Sequence, residues 1–385
     1  MTKKILITGG AVEGMLDSVK IITNKFKGGL MAGLTDNLFS KYPCEIWYIT
    51  SKDGMKPSNT AKMDTKSRAM TEGISIIEHQ GIHDYMRIVC ELAPQMDAVV
   101  LGAAVCNLIP KNKIEGKFPS HNYKEGDIIP IDFTIAPRII DQVKEVNPKC
   151  LLFGFKLLSG VDHDELIRAA YGVLLESKAV TIFANDSKNL STVYAVTKDR
   201  GVHTMNRSEI ANWIIERMEE KYYSTEINES DLSIEEEKEM EESKEKFCNL
   251  LLKYKDNFIK TDEGYIFGAG AISLKNKKFI TTVRGKKEIE KMAFVKKVDH
   301  ENRKIYCLTD EKASLNAPLF DYIFTRYPIV KSILHFHHQR DDLITQKYAT
   351  PGTDKDSKRN LVHPSFNIEG HGCILSFDQE GNMLI

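Results

Sequence analysis

Apolar residues in the first half of the chain come in short unbroken runs, without the polar alternation of a half-exposed strand. Ile5-Leu6-Ile7, Glu45 to Thr50, Ile74 to Ile77, Asp97 to Gly102, Leu151 to Phe155 and Thr181 to Ala184-Asn185 each have the length and composition of a strand covered on both faces. Helix-period segments separate several of them, at Leu30 to Phe39, His83 to Leu92 and Asp164 to Lys178. Val193 to Val196 reads as an edge strand, and Ile210, Trp213, Ile214 and Met218 mark one face of a closing helix. This rhythm predicts an α/β fold, a doubly wound (Rossmann-like) parallel sheet, over residues 1–222.

The pattern then changes. Residues 226–246 hold ten acidic side chains, three lysines and no aromatic, the composition of a linker or a solvated helix face. The expectation is an acidic linker at 223–234 and a helix opened by a capping box, Ser233 with Glu236, that runs on to Phe247, Leu250, Leu251 and Tyr254. Beyond it come strand-like runs at 271–274, 279–282, 304–308, 333–337 and 372–376, with one helix from Ala317 to Arg326. A layered α/β domain with a largely antiparallel sheet is expected over residues 235–385.

Composition narrows the function classes. With 385 residues the chain can bury two cores, and a net charge of -1 gives no global field to attract nucleic acid or an anionic membrane. Seven scattered cysteines and no C-x-x-C pair suit a reducing compartment. No signal-peptide pattern or membrane-length apolar run is visible, so a cytoplasmic protein without nucleic-acid or membrane partners is expected.

The chemistry of the first half concentrates in glycine turns. Gly9-Gly10 ends the first strand and Gly28-Gly29 opens a helix, so backbone N–H groups at both places can cradle phosphates. A ligand-free strand-to-helix turn is the plain alternative, and the spacing departs from the G-x-G-x-x-G of a dinucleotide site. Taken with Glu13, Asp17-x-Val19-Lys20, Ile22-Thr23-Asn24, Ala103-Ala104-Val105, Lys113-Ile114, Gly154-Phe155 and Ala184-Asn185-Asp186, these turns resemble, across about residues 1–220, the phosphopantothenoylcysteine synthetase (phosphopantothenate-cysteine ligase) family. The resemblance implies a carboxylate–amine ligase that uses CTP or ATP with Mg2+ through an acyl-nucleotide. It assigns Asn24 and Lys113 to catalysis, and Gly9, Gly10, Gly28, Gly29, Ala103, Ala104, Asn107, Lys113 and Phe155 to the nucleotide. Asn107 stands where the family has aspartate, which leaves the acid and the amine open.

In the second half, His335-x-His337 places two imidazoles on one face of a strand, and His371 follows within Glu369-Gly370-His371-Gly372. Three histidines around one divalent ion leave an open coordination position, while a merely packed H-x-H pair is the plain reading. With Gly268 to Ser273, Ile280 to Thr282, Gly285, Ser314 and Arg326-Tyr327-Pro328, the set resembles the class II aldolase/adducin family over residues 235–385. That resemblance implies Zn2+, or another divalent metal, on His335, His337 and His371. Asn316 stands in place of the acid/base glutamate and Ala271 in place of a phosphate-loop asparagine, so metal binding is expected ahead of aldol cleavage. His338 should point to the opposite face, and Asn316 should lie near the metal. Both resemblances imply a homo-oligomer. Two alternatives stand beside the ligase reading: a metal-dependent lyase, epimerase or dehydratase of a sugar phosphate with an accessory nucleotide-binding domain, and a non-catalytic ligand-sensing scaffold.

Overall fold

The computed structural model describes residues 2–58, 73–112, 114–227, 232–308 and 311–385. Its contacts divide into two compact units: Met1–Lys198 with Thr204–Met218, and Asp199–His203 with Glu219–Ile385.

The first unit is built on an eight-stranded sheet. Strand Lys3–Thr8 pairs in parallel with Cys44–Ser51 on one side and with Ala98–Leu101 on the other. Ile74–His79 extends the first side, and Leu151–Leu158 and Thr181–Asp186 extend the second, all in parallel. Alternate residues of these strands feed two separate cores. Leu6, Ile49, Val99 and Leu152 pack with helices Gly81–Leu92, Ile139–Val146 and His163–Ser177. Ile5, Ile7, Tyr48, Val100 and Phe153 pack with Gly29–Lys41 and Ile210–Glu219. The unbroken apolar runs are therefore explained: each strand buries both faces, and no position is left for a polar alternation.

The expected edge strand needs correction. Asn189–Thr197 pairs antiparallel with Thr181–Asp186, but Val202–Asn206 lies outside it and forms the true edge. Its alternating Val-His-Thr-Met-Asn pattern follows a tight turn and is too short to stand out. Helix Ile139–Val146 was not expected either, because only its buried Ile139 and Val143 carry the period.

In the second unit, helix Ile234–Lys253 begins at the expected capping box, with the Ser233 and Glu236 side chains each accepting from the other's backbone N–H. Phe247 and Leu251 of this helix pack on Ile280, Phe294, Leu334, Phe336, Leu375 and Phe377. Phe279, one residue from Ile280 and so on the other face, meets Phe324 of helix Ala317–Arg326 with ring centroids 5.8 Å apart. The sheet thus lies between two helices. Its central strands, Phe279–Thr282, Ala269–Ser273, Ser332–Phe336 and Gly372–Phe377, are antiparallel. Several strands were not expected, and two of them show why. Ser224–Ile227, inside the segment read as a linker, pairs with Lys304–Cys307, and residues 228–231 lie outside the described residues. Met292–Asp299 carries a register shift between Val295 and Lys297, and the extra residue, Lys296, interrupts the period of two.

Candidate functional site

In the first unit, strand order reverses direction between Lys3–Thr8 and Ala98–Leu101, and a parallel sheet opens a ligand crevice at the carboxyl ends of its strands at such a point. The residues after both strands are stitched across that crevice. Gly102 N donates to Thr8 O at 3.1 Å, Ala103 N to Thr8 Oγ1 at 3.2 Å and Ala104 N to Gly10 O at 2.8 Å. Asn24 joins them through its amide, which donates to Ala104 O at 3.0 Å. Gly28 has φ 85° and caps helix Gly29–Lys41 without a side-chain hydrogen bond. A Cβ on Gly28 would lie 2.3 Å from Gly10 N, so the two glycine turns meet backbone to backbone. The first turn of that helix has no acidic residue, which leaves an electropositive end facing the crevice residues.

Gly9, Gly10, Gly28, Gly29, Ala103, Ala104 and Asn24 therefore form one cluster. Asn107 is exposed, and its carbonyl accepts from Ala136 N at 2.9 Å. The Phe155 ring packs on Phe183 with centroids 5.1 Å apart. Lys113 lies outside the described residues, but its neighbours are tied to the Asp17 loop: Ile114 N donates to Leu16 O at 3.2 Å. Asp17 itself is buried and accepts from the N–H groups of Phe118, Lys20 and Val19, and these bonds hold its carboxyl well below the usual carboxylate range.

In the second unit, the sheet brings together the three histidines named from sequence. His335 lies on Ser332–Phe336 opposite Ala269 and Ile374, His337 follows the strand, and His371 precedes Gly372–Phe377. Gly372 makes the approach possible, since a Cβ there would stand 1.9 Å from Phe336 O. One potential ligand atom from each histidine lies within 4.8 Å of the others, and the ring centroids are 4.7 to 4.9 Å apart.

Four of the six ring nitrogens of this cluster are buried without a hydrogen bond. His335 Nδ1 sits 3.0 Å from Cys373 O and so carries the proton, which leaves Nε2 as a buried lone pair without a partner. His337 Nδ1 and both ring nitrogens of His371 are also buried without a hydrogen bond. Burial, reinforced by the neighbouring imidazoles, holds His335 well below its ordinary 6.5, and burial followed by His371 takes His337 down to about 3. Neutral imidazoles with inward lone pairs are metal donors, so the residues present fit a divalent ion of borderline softness.

His338 is exposed and stacks on Phe336, away from the cluster. Asn316 is buried, with Oδ1 unpartnered. Two groups near the cluster carried no sequence signal. Lys286 is buried, donates to Gly268 O, and burial lowers its pKa to about 8. Asp199 Oδ2 lies 3.4 Å from His371 Nδ1. In sequence, one is a lysine beside another lysine and the other an aspartate in a turn, which is how surface residues read.

Comparison with known proteins bears on the first part of the chain. The sequence profile of the DNA/pantothenate metabolism flavoprotein C-terminal domain matches residues 1–228. The coenzyme A biosynthesis bifunctional protein CoaBC of Thermococcus kodakarensis is 27% identical over 186 residues, 48% of this chain and 42% of that protein. The chain spans about half the length, or less, of the curated relatives it matches. The crystal structure of the DNA/pantothenate metabolism flavoprotein from Streptococcus pneumoniae is 27% identical, with 57% of this chain and 98% of that one covered and a TM-score of 0.47. For the remainder, an L-fuculose 1-phosphate aldolase structure is 12% identical, covers 35% of this chain and 74% of its own, and has a TM-score of 0.26.

Proposed function

We propose, from the premise that this chain belongs to the DNA/pantothenate metabolism flavoprotein C-terminal domain family, that residues 1–222 form a nucleotide-dependent carboxylate–amine ligase of the phosphopantothenate-cysteine ligase type. The observation that carries the reading is the meeting of the Gly10 and Gly28 turns at the crevice where strand order reverses, inside the matched stretch. In the reaction a carboxylate oxygen attacks the α-phosphorus of CTP or ATP and pyrophosphate leaves. An amine then attacks the acyl carbon, and nucleoside monophosphate leaves. Backbone N–H groups of the glycine turns and Ala103-Ala104 would hold phosphate charge, with Asn107 and Phe155 as flanking members of the nucleotide set. Mg2+ supplies charge neutralisation on the phosphates. Lys113 would meet the developing phosphate charge, and the Asn24 amide, already fixed on Ala104 O, would orient the acyl group without adding charge.

Calorimetry on the full chain with Mg2+ should detect CTP or ATP, with weaker binding in Lys113→Ala. No binding of either nucleotide at millimolar concentration would end the ligase reading.

Within the second unit, residues 235–385 we read as a class II aldolase-like metal-binding domain. The buried, unpartnered nitrogens of His335, His337 and His371 support this. Zn2+ would supply a Lewis acid with an open position. A metal-dependent lyase acting on a sugar phosphate is the second reading, favoured by the same cluster, and Asn316 in place of a glutamate leaves the site short of an acid/base. Purified protein should hold one zinc per chain, lost in His335→Ala and in His337→Ala and kept in His338→Ala. Protein that stays metal-free on zinc titration would refute it.

A further inference from the structure

Resting on the metal reading of the three histidines, we infer that Asp199 is the positioning residue of that centre: it fixes which nitrogen of His371 faces the ion. Asp199 falls within the stretch of sequence that matches the ligase family, yet residues 199–203 belong to the second unit.

Three observations place it. Asp199 Oδ2 lies 3.4 Å from His371 Nδ1, close enough for the pair to tighten into a hydrogen bond once His371 is pulled on from its other side. The same oxygen accepts from the Tyr348 hydroxyl at 2.7 Å, so the carboxylate is itself oriented. The segment is held by backbone and ring contacts: Val202 N donates to Gly370 O at 2.8 Å, and His203 meets the Tyr348 ring with centroids 4.0 Å apart. Gly370 immediately precedes His371, so the contact that holds residues 199–203 also sets the backbone of the ligand.

The chemistry follows from the two nitrogens of imidazole. A ligating histidine needs one lone pair directed at the ion, and a hydrogen bond from the other N–H selects that tautomer and raises the basicity of the donor. His335 has such a partner in Cys373 O. His371 has no carbonyl in that role, and both of its nitrogens are buried without a hydrogen bond. A carboxylate facing Nδ1 assigns Nδ1–H to Asp199 and Nε2 to the ion. It also places negative charge beside a three-imidazole site that has no anionic ligand of its own, and the Asp199 charge acts on His337 in the same sense.

The test uses the full chain and zinc ion alone, with affinity read by competition against a chelating dye. Asp199→Asn should weaken zinc binding about tenfold to a hundredfold while one zinc per chain is still bound at saturation, as expected when a partner behind the ligands is lost rather than a ligand. Asp199→Glu should recover part of the loss, and Tyr348→Phe should show a smaller loss of the same kind. Nitrogen chemical shifts of the zinc-loaded protein should show His371 bound through Nε2 and protonated at Nδ1. Zinc affinity in Asp199→Asn equal to that of the wild type would overturn this inference and leave the three-histidine centre standing. A wild-type chain that binds no zinc would overturn both. If Asp199→Asn does not fold, the His371 shifts in wild-type protein decide alone, and binding through Nδ1 would refute the assignment.

Discussion

At the scale of single residues, the sites depend on positions where one atom more or less has no room. Gly28 is the clearest: its φ of 85° and the 2.3 Å gap to Gly10 N leave no space for a Cβ. Gly28→Ala should cost about 1–3 kcal/mol in urea unfolding and remove nucleotide binding, because the turns must separate to admit the methyl group. Full nucleotide affinity in Gly28→Ala would show that the turns do not act together. A second position lies near His371. Arg359 is buried, donates to Asp356 Oδ1 at 2.7 and 2.9 Å, and bonds the carbonyls of Lys347 and Ala349 on either side of Tyr348. Asp356→Ala would strand a buried guanidinium, so a loss of about 3–5 kcal/mol is expected. The pairing of His335 with His337 was legible in sequence because a spacing of two on a strand fixes a common face. Asp199 was not, because Lys198-Asp199-Arg200-Gly201 has the composition of any exposed turn and nothing local marks its distant partner.

At the scale of elements, the hydrophobic pattern located most strands of the first sheet, half of those in the second and several helices, since burial on two faces, or on one stripe, is written directly into residue order. It failed where geometry interrupts the period, as at the register shift in Met292–Asp299, and where a strand is recruited by a neighbour, as Ser224–Ile227 is by Lys304–Cys307. Helix Ile234–Lys253 shows charge deciding an element. Glu236 pairs with Lys278 and accepts from Ser233 N at 3.0 Å, and these contacts hold its carboxyl at about 2 against an ordinary 4.5. A depressed carboxyl pKa stabilises the fold above the unfolded value and loses that contribution as pH falls through the folded one, so the window here runs from about 4.5 down to about 2. The stability difference between wild type and Glu236→Gln in urea should be largest near neutral pH and shrink through this window. A difference that stays constant down to about pH 3 would contradict the pairing.

At the scale of the whole molecule, no helix of the described residues is long and apolar enough to cross a membrane. The two-stranded arm of Leu108–Pro110 and Phe133–Ile135 exposes Leu108, Phe133 and Ile135, apolar residues that the homo-oligomer expected from the sequence would have to cover. Light scattering at micromolar concentration should give at least a dimer mass, and Ile135→Asp should lower it; a strictly monomeric wild type would remove the homo-oligomer from the account. The ligase reading is tested by pyrophosphate release from the full chain with Mg2+, CTP or ATP, and phosphopantothenate as the carboxylate. A ligase of this type releases pyrophosphate only with the carboxylate present, turns over once without amine and continuously once cysteine is added, and releases little in Lys113→Ala. Absence of pyrophosphate with either nucleotide, from a chain shown to be folded, would contradict it.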